Sequence, residues 1–328
     1  MKPTDFAKCL TDFLSKYLPS QEGVSFNTIK SYRDTFSILL GFCRDVKGIK
    51  IEKLTLSGFD SKLIADFLTW LETERGNRIS TRNQRLAAIH SFCQYVQTEE
   101  PGAILQCQQI LSIGAKKFKK PHIEYLSASA LKDIFARPNL TTKRGRRDLL
   151  ILSLLYDTGA RVTELINLTV RDVRLDEFPT VRLNGKGNKT RQVPLMQTTA
   201  TMLKDYLAES KLQSPELLDH LLFYNYRREP FTRPGITYIL QKYTNGEKLT
   251  PHILRHTKAM HLLQADVNIV YIRDILGHVD LKTTENYARA DTEMKRKAME
   301  SVYQDIIPKA TPNWNTDSGL MDWLRNFA

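Results

Sequence analysis

The chain has 328 residues, long enough for two domains with cores of their own, and its 48 Lys+Arg against 36 Asp+Glu leave a net charge of +12. That surplus suits a polyanionic partner, nucleic acid first and an anionic membrane surface second. The opening "MKPTDFAKCL" has no apolar core for a secretory signal, and the longest apolar stretch, "LLILSLLY" from Leu149, is far short of the roughly 20 residues a bilayer needs. The expected location is the cytoplasm, on the nucleoid, with no membrane partner. Cys9, Cys43, Cys93 and Cys107 show no CxxC spacing and read as reduced core thiols.

Residues 1–112 carry helical periodicity. In "SFNTIKSYRDTFSILLGFCRDV", Ile29, Tyr32, Phe36, Leu39, Leu40 and Cys43 recur at three- and four-residue steps, with Asn27 or Thr28 as the expected cap. "FDSKLIADFLTWLETE" and "STRNQRLAAIHSFCQYVQ" repeat the pattern, capped by Asp60 or Ser61 and by Ser80. Residues 113–126 form a basic linker: "GAKKFKKPHIEYLS" sets Lys116, Lys117, Lys119 and Lys120 around one aromatic and a proline that restricts the residue before it. These lysines are candidate DNA contacts; a solvated charge run is the other reading. From 127 to 307 helices dominate with one interruption. "VRDVRLDEFPTVRLNGKGNKTRQVPL" alternates apolar and polar residues and predicts a short antiparallel sheet with its hairpin at Gly185 to Asn188. Residues 308–328 read as a loose tail, held extended by Pro308 and Pro312, ending in a short amphipathic helix that Asp317 or Ser318 caps.

The chain has seven histidines, and "PHILRHTKAMHLL" concentrates His252, His256 and His261 around Arg255. His252 and His256 have the i, i+4 spacing of a zinc helix, but Ile253 stands where that motif wants Glu, and the cation at Arg255 repels a metal ion. Thr250 and Pro251 instead make a good cap and first turn, so His252 and Arg255 sit where a helix N-terminus favours an anion. A phosphate fits better than a metal. His256 and His261 read as packed or solvated. Upstream, "YDTGARVTELINL" gives a helix, a Gly turn, then Arg161 opening a second helix with Glu164 one turn along. Downstream, "NIVYIRDILGHVDLKTTENYARA" gives a helix from Asn268, a stop at Gly277, then His278 and a further helical stretch bearing Tyr287.

In this order the boxes resemble the tyrosine recombinase (integrase) family, which includes the Xer recombinases, lambda integrase and Cre. "TGARVTEL" supplies Arg161, "GKGNKTRQVPL" Lys186, "HILR" His252 and Arg255, "LGH" His278, and "TTENYARAD" Tyr287, nine residues after His278. The resemblance spans about residues 20 to 300, and an ordered match of five boxes is very specific. It departs from the compact Xer-like form in the 41 residues that follow Tyr287.

The resemblance implies a mainly α fold. It joins a helical, SAM-like core-binding domain to a mainly helical catalytic domain with a small three-stranded antiparallel sheet. It also implies site-specific recombination of double-stranded DNA through a 3′-phosphotyrosine, with a homotetramer on two duplexes and a monomer or dimer on one site. A second recombinase or an accessory DNA-bending protein is compatible with it. The chemistry explains the residue types: two guanidiniums, Arg161 and Arg255, offset the charge of a pentacoordinate phosphorane, Tyr287 needs a base, and the leaving 5′ oxygen needs a proton. His252 would assist Tyr287 or the phosphate, Lys186 would protonate the leaving oxygen, and His278 would donate to a non-bridging oxygen. Glu164 would orient its neighbours. Because phosphodiesters are exchanged one for one, no metal or nucleotide cofactor is required. Integration or excision of a mobile element is the favoured role, ahead of Xer-like chromosome-dimer resolution or DNA inversion. A type IB topoisomerase and a DNA-binding regulator that has lost its chemistry are more distant alternatives.

Overall fold

The computed structural model describes residues 2–20, 23–118, 123–185, 189–225, 227–244, 246, 248–278, 281–290 and 320–327. The chain divides into two compact units, Met1–Pro121 and His122–Ala328.

In the first unit α1 (Asp5–Asp12) runs on through a π-helical turn (Phe13–Tyr17), followed by α2 (Phe26–Asp45), α3 (Ser61–Thr73), α4 (Ile79–Glu99) and α5 (Ile104–Leu111). Asp60 caps α3 as its type and position suggest. The caps of α2 and α4 differ from expectation. Ser25, in extended backbone, accepts from Thr28 N and starts α2 before Asn27, while α4 begins at Ile79 behind Arg78, which leaves Ser80 inside the helix. The core is aromatic: the Phe92 ring lies 5.1 to 5.7 Å from those of Phe6, Phe13, Phe36 and Phe59. Burying each such side chain stabilises by about 1.5–3 kcal/mol. All four cysteines are buried and unpaired.

The second unit contains α6 (Ala128–Phe135), α7 (Lys143–Thr158), α8 (Val162–Ile166), β1 (Val173–Arg174), β2 (Thr180–Asn184), β3 (Thr190–Pro194), α9 (Gln197–Glu209), α10 (Arg233–Lys242), α11 (Pro251–Gln264), α12 (Ile269–Leu276), α13 (Leu281–Ala290) and α14 (Leu320–Arg325). Helix α7 runs through its middle, with Leu150, Ile151, Leu152, Leu154 and Leu155 buried on every side. Gly159, left-handed at φ 57°, stops α7 and turns the chain so that Arg161 stands at the entrance of α8. The sheet is antiparallel in the order β1-β2-β3, with Val181, Leu183 and Val193 facing the core and Arg182 and Gln192 facing out. Gly185 N donates to Lys189 O across the hairpin, whose tip, including Lys186, lies outside the described residues. Helices α11, α12 and α13 enclose a small core of Ala259, Met260, Leu263, Ile272, Leu276 and Tyr287. Among the described residues no helix is long and apolar enough to cross a membrane. The tail positions Pro308, Pro312, Asp317 and Ser318 lie outside the described residues, as do Lys119 and Lys120.

Candidate active site

The site is organised by the last turn of α12. Helix C-termini leave carbonyls without intrahelical partners and carry partial negative charge. Here three consecutive carbonyls each take a different arginine. Arg191 Nε donates to Ile275 O at 2.8 Å, Arg255 Nη2 to Leu276 O at 2.6 Å, and Arg161 Nη2 to Gly277 O at 3.1 Å. Arg255 Nη1 also donates to Gly159 O at 2.6 Å, tying the end of α7 to the end of α12. Gly277 is left-handed at φ 63°, and a Cβ there would stand 2.8 Å from Arg191 Nη1, so both its backbone and its missing side chain are required.

Glu164 completes this frame. Its carboxylate, 4% exposed, accepts from Arg161 N and Nη1 at 2.8 Å and from Arg191 Nη1 and Nη2 at 2.9 Å. Burial pushes the carboxyl up, but Arg191 and Arg161 together hold it below the usual carboxylate range. One carboxylate thus stands against three guanidiniums. Burial first, and then the charges of Arg161 and Arg191, push Arg255 down to about 10. A cleft of about 370 Å³ opens beside Arg161 and Arg191, lined also by Gly185, Lys189, Thr190, Gly277, His278 and the ion pair of Arg273 with Asp274. Such a surface is suited to an anion with several oxygens.

The imidazoles and the tyrosine lie next to this frame. His278 Nδ1 bonds to Thr284 Oγ1 at 2.8 Å, and burial together with Arg255, Arg161, Arg191 and His256 pushes its pKa down to about 4. Its ring lies parallel to that of Tyr287, 10° apart at 6.2 Å. Tyr287, 3% exposed, is raised above its usual pKa by burial, against the pull of Arg255 and Arg161. Its Oη is 2.8 Å from His256 Nδ1. His252 is exposed one turn earlier, its ring 6.4 Å from that of His256, and desolvation and the cations of Arg255, Arg161 and Arg233 lower its pKa.

The structure therefore brings Arg161, Glu164, Arg255, His278 and Tyr287 together, with His252 at the edge. Two residues of the site were missed by the sequence reading. Arg191 stands in the quoted "GKGNKTRQVPL" box, where only Lys186 had been given a role, and the Arg in that box was the available signal. His256, read as packed or solvated, bonds to the Tyr287 hydroxyl, a pairing 31 residues apart that no local pattern announces. His261 is packed, between Tyr156 Oη and Leu126 O. In the linker, Lys116 pairs with Glu72 at 2.8 Å and Lys117 is exposed. Among the described residues no set of three His, Cys, Asp or Glu side chains is arranged to hold a metal ion.

The phage integrase family pattern matches residues 124–294, and its N-terminal SAM-like domain matches residues 10–100. The putative integrase/recombinase y4rC of Sinorhizobium fredii is 34% identical over 309 residues, covering 91% of this chain and 92% of its own length. The tyrosine recombinase XerC of Staphylococcus saprophyticus is 31% identical, covering 89% of this chain and 95% of its own. Among solved structures, the Tn1549 transposon integrase in complex with circular intermediate DNA has a TM-score of 0.66 at 18% identity, over 90% of this chain and 99% of that one. That likeness bears on the fold.

Proposed function

This chain belongs to the phage integrase family and, as a tyrosine recombinase, breaks and rejoins DNA, and on that premise we propose that Tyr287 is its nucleophile and the cleft beside the arginine frame its scissile-phosphate site. The observation that carries the reading is the seating of Arg161, Arg191 and Arg255 on three successive carbonyls immediately before His278. Each guanidinium spends two or three of its five N–H donors on the protein; Arg161 and Arg191, which line the cleft, keep others for phosphate oxygens, and buried Arg255 adds its charge. The cations are fixed before substrate arrives, so little reorganisation is needed as charge grows on the phosphorane. When Thr284 donates to His278 Nδ1, the neutral imidazole presents Nε2–H to a non-bridging oxygen. His252 stands at the rim for the phosphate, and Lys186, from the β2–β3 hairpin, protonates the leaving 5′ oxygen. Glu164 holds Arg161 and Arg191 in place.

Residues 1–112 serve as the core-binding domain, 113–126 as a linker whose lysines contact phosphates, 127–307 as the catalytic domain and 308–328 as a docking tail. Four protomers act on two duplexes on the nucleoid. Integration or excision of a mobile element is the biological role, supported by similarity to a putative integrase along nearly the whole chain. The XerC similarity supports a second reading, chromosome-dimer resolution; terminal inverted repeats flanking the gene favour the first, and a lone chromosomal site the second. The chemical test is covalent capture. A nicked suicide duplex should yield an adduct on a denaturing gel with the wild-type chain and none with Tyr287→Phe, which should still bind DNA. An adduct that persists in Tyr287→Phe refutes the nucleophile assignment.

A further inference from the structure

The phenol that attacks phosphorus must lose its proton, and a group pKa near 10 makes the neutral form dominant at neutral pH. Three imidazoles surround Tyr287, and their geometry separates them. The His278 ring lies parallel to the phenol with its centroid 6.2 Å away, and its Nδ1 is tied to Thr284. His252 lies a turn away on α11 and is exposed. His256 alone among these three bonds to Oη, at 2.8 Å, with its ring tilted 58° to the phenol. It is half-buried, and its partner Tyr287 is held in the core with Met260, Leu263 and Leu276.

We propose that His256 is a catalytic residue of this recombinase and takes the phenolic proton of Tyr287. The inference rests on the reading of Tyr287 as nucleophile. In the forward step the bond from Oη to phosphorus forms and the bond from phosphorus to O5′ breaks. The Oη proton passes to His256 Nδ1, and O5′ receives a proton from the separate donor, Lys186. In the reverse step a 5′ hydroxyl gives its proton back to Lys186 as its oxygen attacks the phosphotyrosine, the bond from phosphorus to Oη breaks, and His256 returns its proton to Oη. For this role Nδ1 must be unprotonated with the ring proton on Nε2. The groups facing His256 favour that state: burial, then His252 and Arg255 on its own helix, hold the imidazole below its usual value, while Tyr287 from α13 and neutral His278 add no opposing charge.

The test uses the full chain and single-turnover adduct formation on the suicide duplex, from pH 5 to 9, with DNA affinity and thermal midpoint measured on each variant. The wild-type rate should rise as His256 deprotonates and then level off. His256→Ala should bind normally but cleave about 10²- to 10³-fold more slowly and lose that rise. His256→Asn keeps an acceptor near Nδ1 that cannot take up the proton, so it should be as slow as the alanine variant. His256→Gly should regain rate with added imidazole, which keeps the test informative if one variant folds poorly. Wild-type rate in His256→Asn, or an unchanged pH profile in His256→Ala, reduces His256 to a holder of the ring and overturns the inference. So does a rate in His256→Ala equal to or above wild type. An adduct persisting in Tyr287→Phe overturns the nucleophile reading and the inference with it, whereas its loss there alongside unimpaired His256→Ala overturns the inference alone.

Discussion

Glu164→Gln tests the charge frame directly. The wild-type carboxylate accepts four hydrogen bonds, two from Arg191 and two from Arg161, in a nearly water-free position. Removing one partner of a buried ion pair costs about 3–5 kcal/mol, and the amide of Gln, which keeps one acceptor oxygen but turns an NH2 toward a guanidinium, should cost about 2–3 kcal/mol. Glu164→Ala should reach the upper range. Because the unit holding Glu164 is one of two, a global unfolding curve mixes transitions, so the loss should be read by hydrogen exchange in residues 150–165 and 251–278. Inorganic phosphate should protect the variant more than wild type, since the missing charge leaves three cations facing one another. The pH dependence has a definite sign. A carboxyl held low in the fold contributes its full stabilisation above the unfolded value near 4.3, and loses it as pH falls through the folded value. Glu164→Gln should lack that acid limb. Exchange within about 0.5 kcal/mol of wild type, with no extra protection by phosphate, refutes the view that Glu164 holds the arginines together.

Gly277→Ala should destabilise the same region by about 1–2 kcal/mol through its left-handed backbone, and should slow adduct formation because its Cβ displaces Arg191; a wild-type cleavage rate refutes the fit. His278, held down to about 4, is neutral in the fold while the unfolded chain protonates near 6.5, so stability should fall by about 1.4 kcal/mol for each unit that pH drops between about 6.5 and about 4, and His278→Asn should remove that slope in exchange measurements. Alanine at Lys116, Lys117, Lys119 and Lys120 should weaken specific and random DNA equally and flatten the salt dependence by about one unit per phosphate contact, with Lys116 contributing least because it already pairs with Glu72; unchanged salt slope leaves the run merely solvated. Truncation after Pro308 should spare single-site binding and impair paired-site complexes if the Trp323 and Phe327 rings, 4.7 Å apart, dock on a neighbouring protomer; normal synapsis refutes the docking.

What the sequence revealed was local. The stop at Gly277, the cap at Thr250 and Pro251, and the turn at Gly159 each follow from one or two residues whose backbone preferences outweigh their surroundings. The partners of the arginines were not legible, because carbonyl acceptors have no residue type: any amino acid could stand at Ile275 or Leu276 and offer the same oxygen. The choice between His252 and His256 was equally hidden. Both lie on α11, and which one meets Tyr287 depends on how Met260, Leu263 and Leu276 rotate that helix against α13, a packing decision made between segments far apart in sequence. The caps of α2 and α4 were misplaced for a simpler reason. At α2 several Ser, Thr and Asn residues stood near the start, and only the backbone shows which one is extended; α4 starts behind Arg78 with no side-chain cap, so its capping residue types gave a false signal.

The arginine frame also explains why the "LGH" turn carries so much of the site. An exposed helix end would satisfy its last carbonyls with water, which moves and screens charge. Here guanidiniums replace that water, so the helix end gains fixed donors and the arginines gain fixed positions from the same bonds. Removing the arginines would orphan carbonyls, and disturbing the turn would release arginines. His278 is the next residue after the third of these carbonyls, and α13, which carries Thr284 and Tyr287, begins at Leu281. An oxyanion drawing on any of the three guanidiniums therefore pulls on the chain that sets His278 and, through its bond to Thr284, on the helix that carries the phenol. On the proposed reading, phosphate seating and nucleophile placement are in this way two readings of one set of hydrogen bonds, and a variant that loosens the first without altering the second would be evidence against the frame itself.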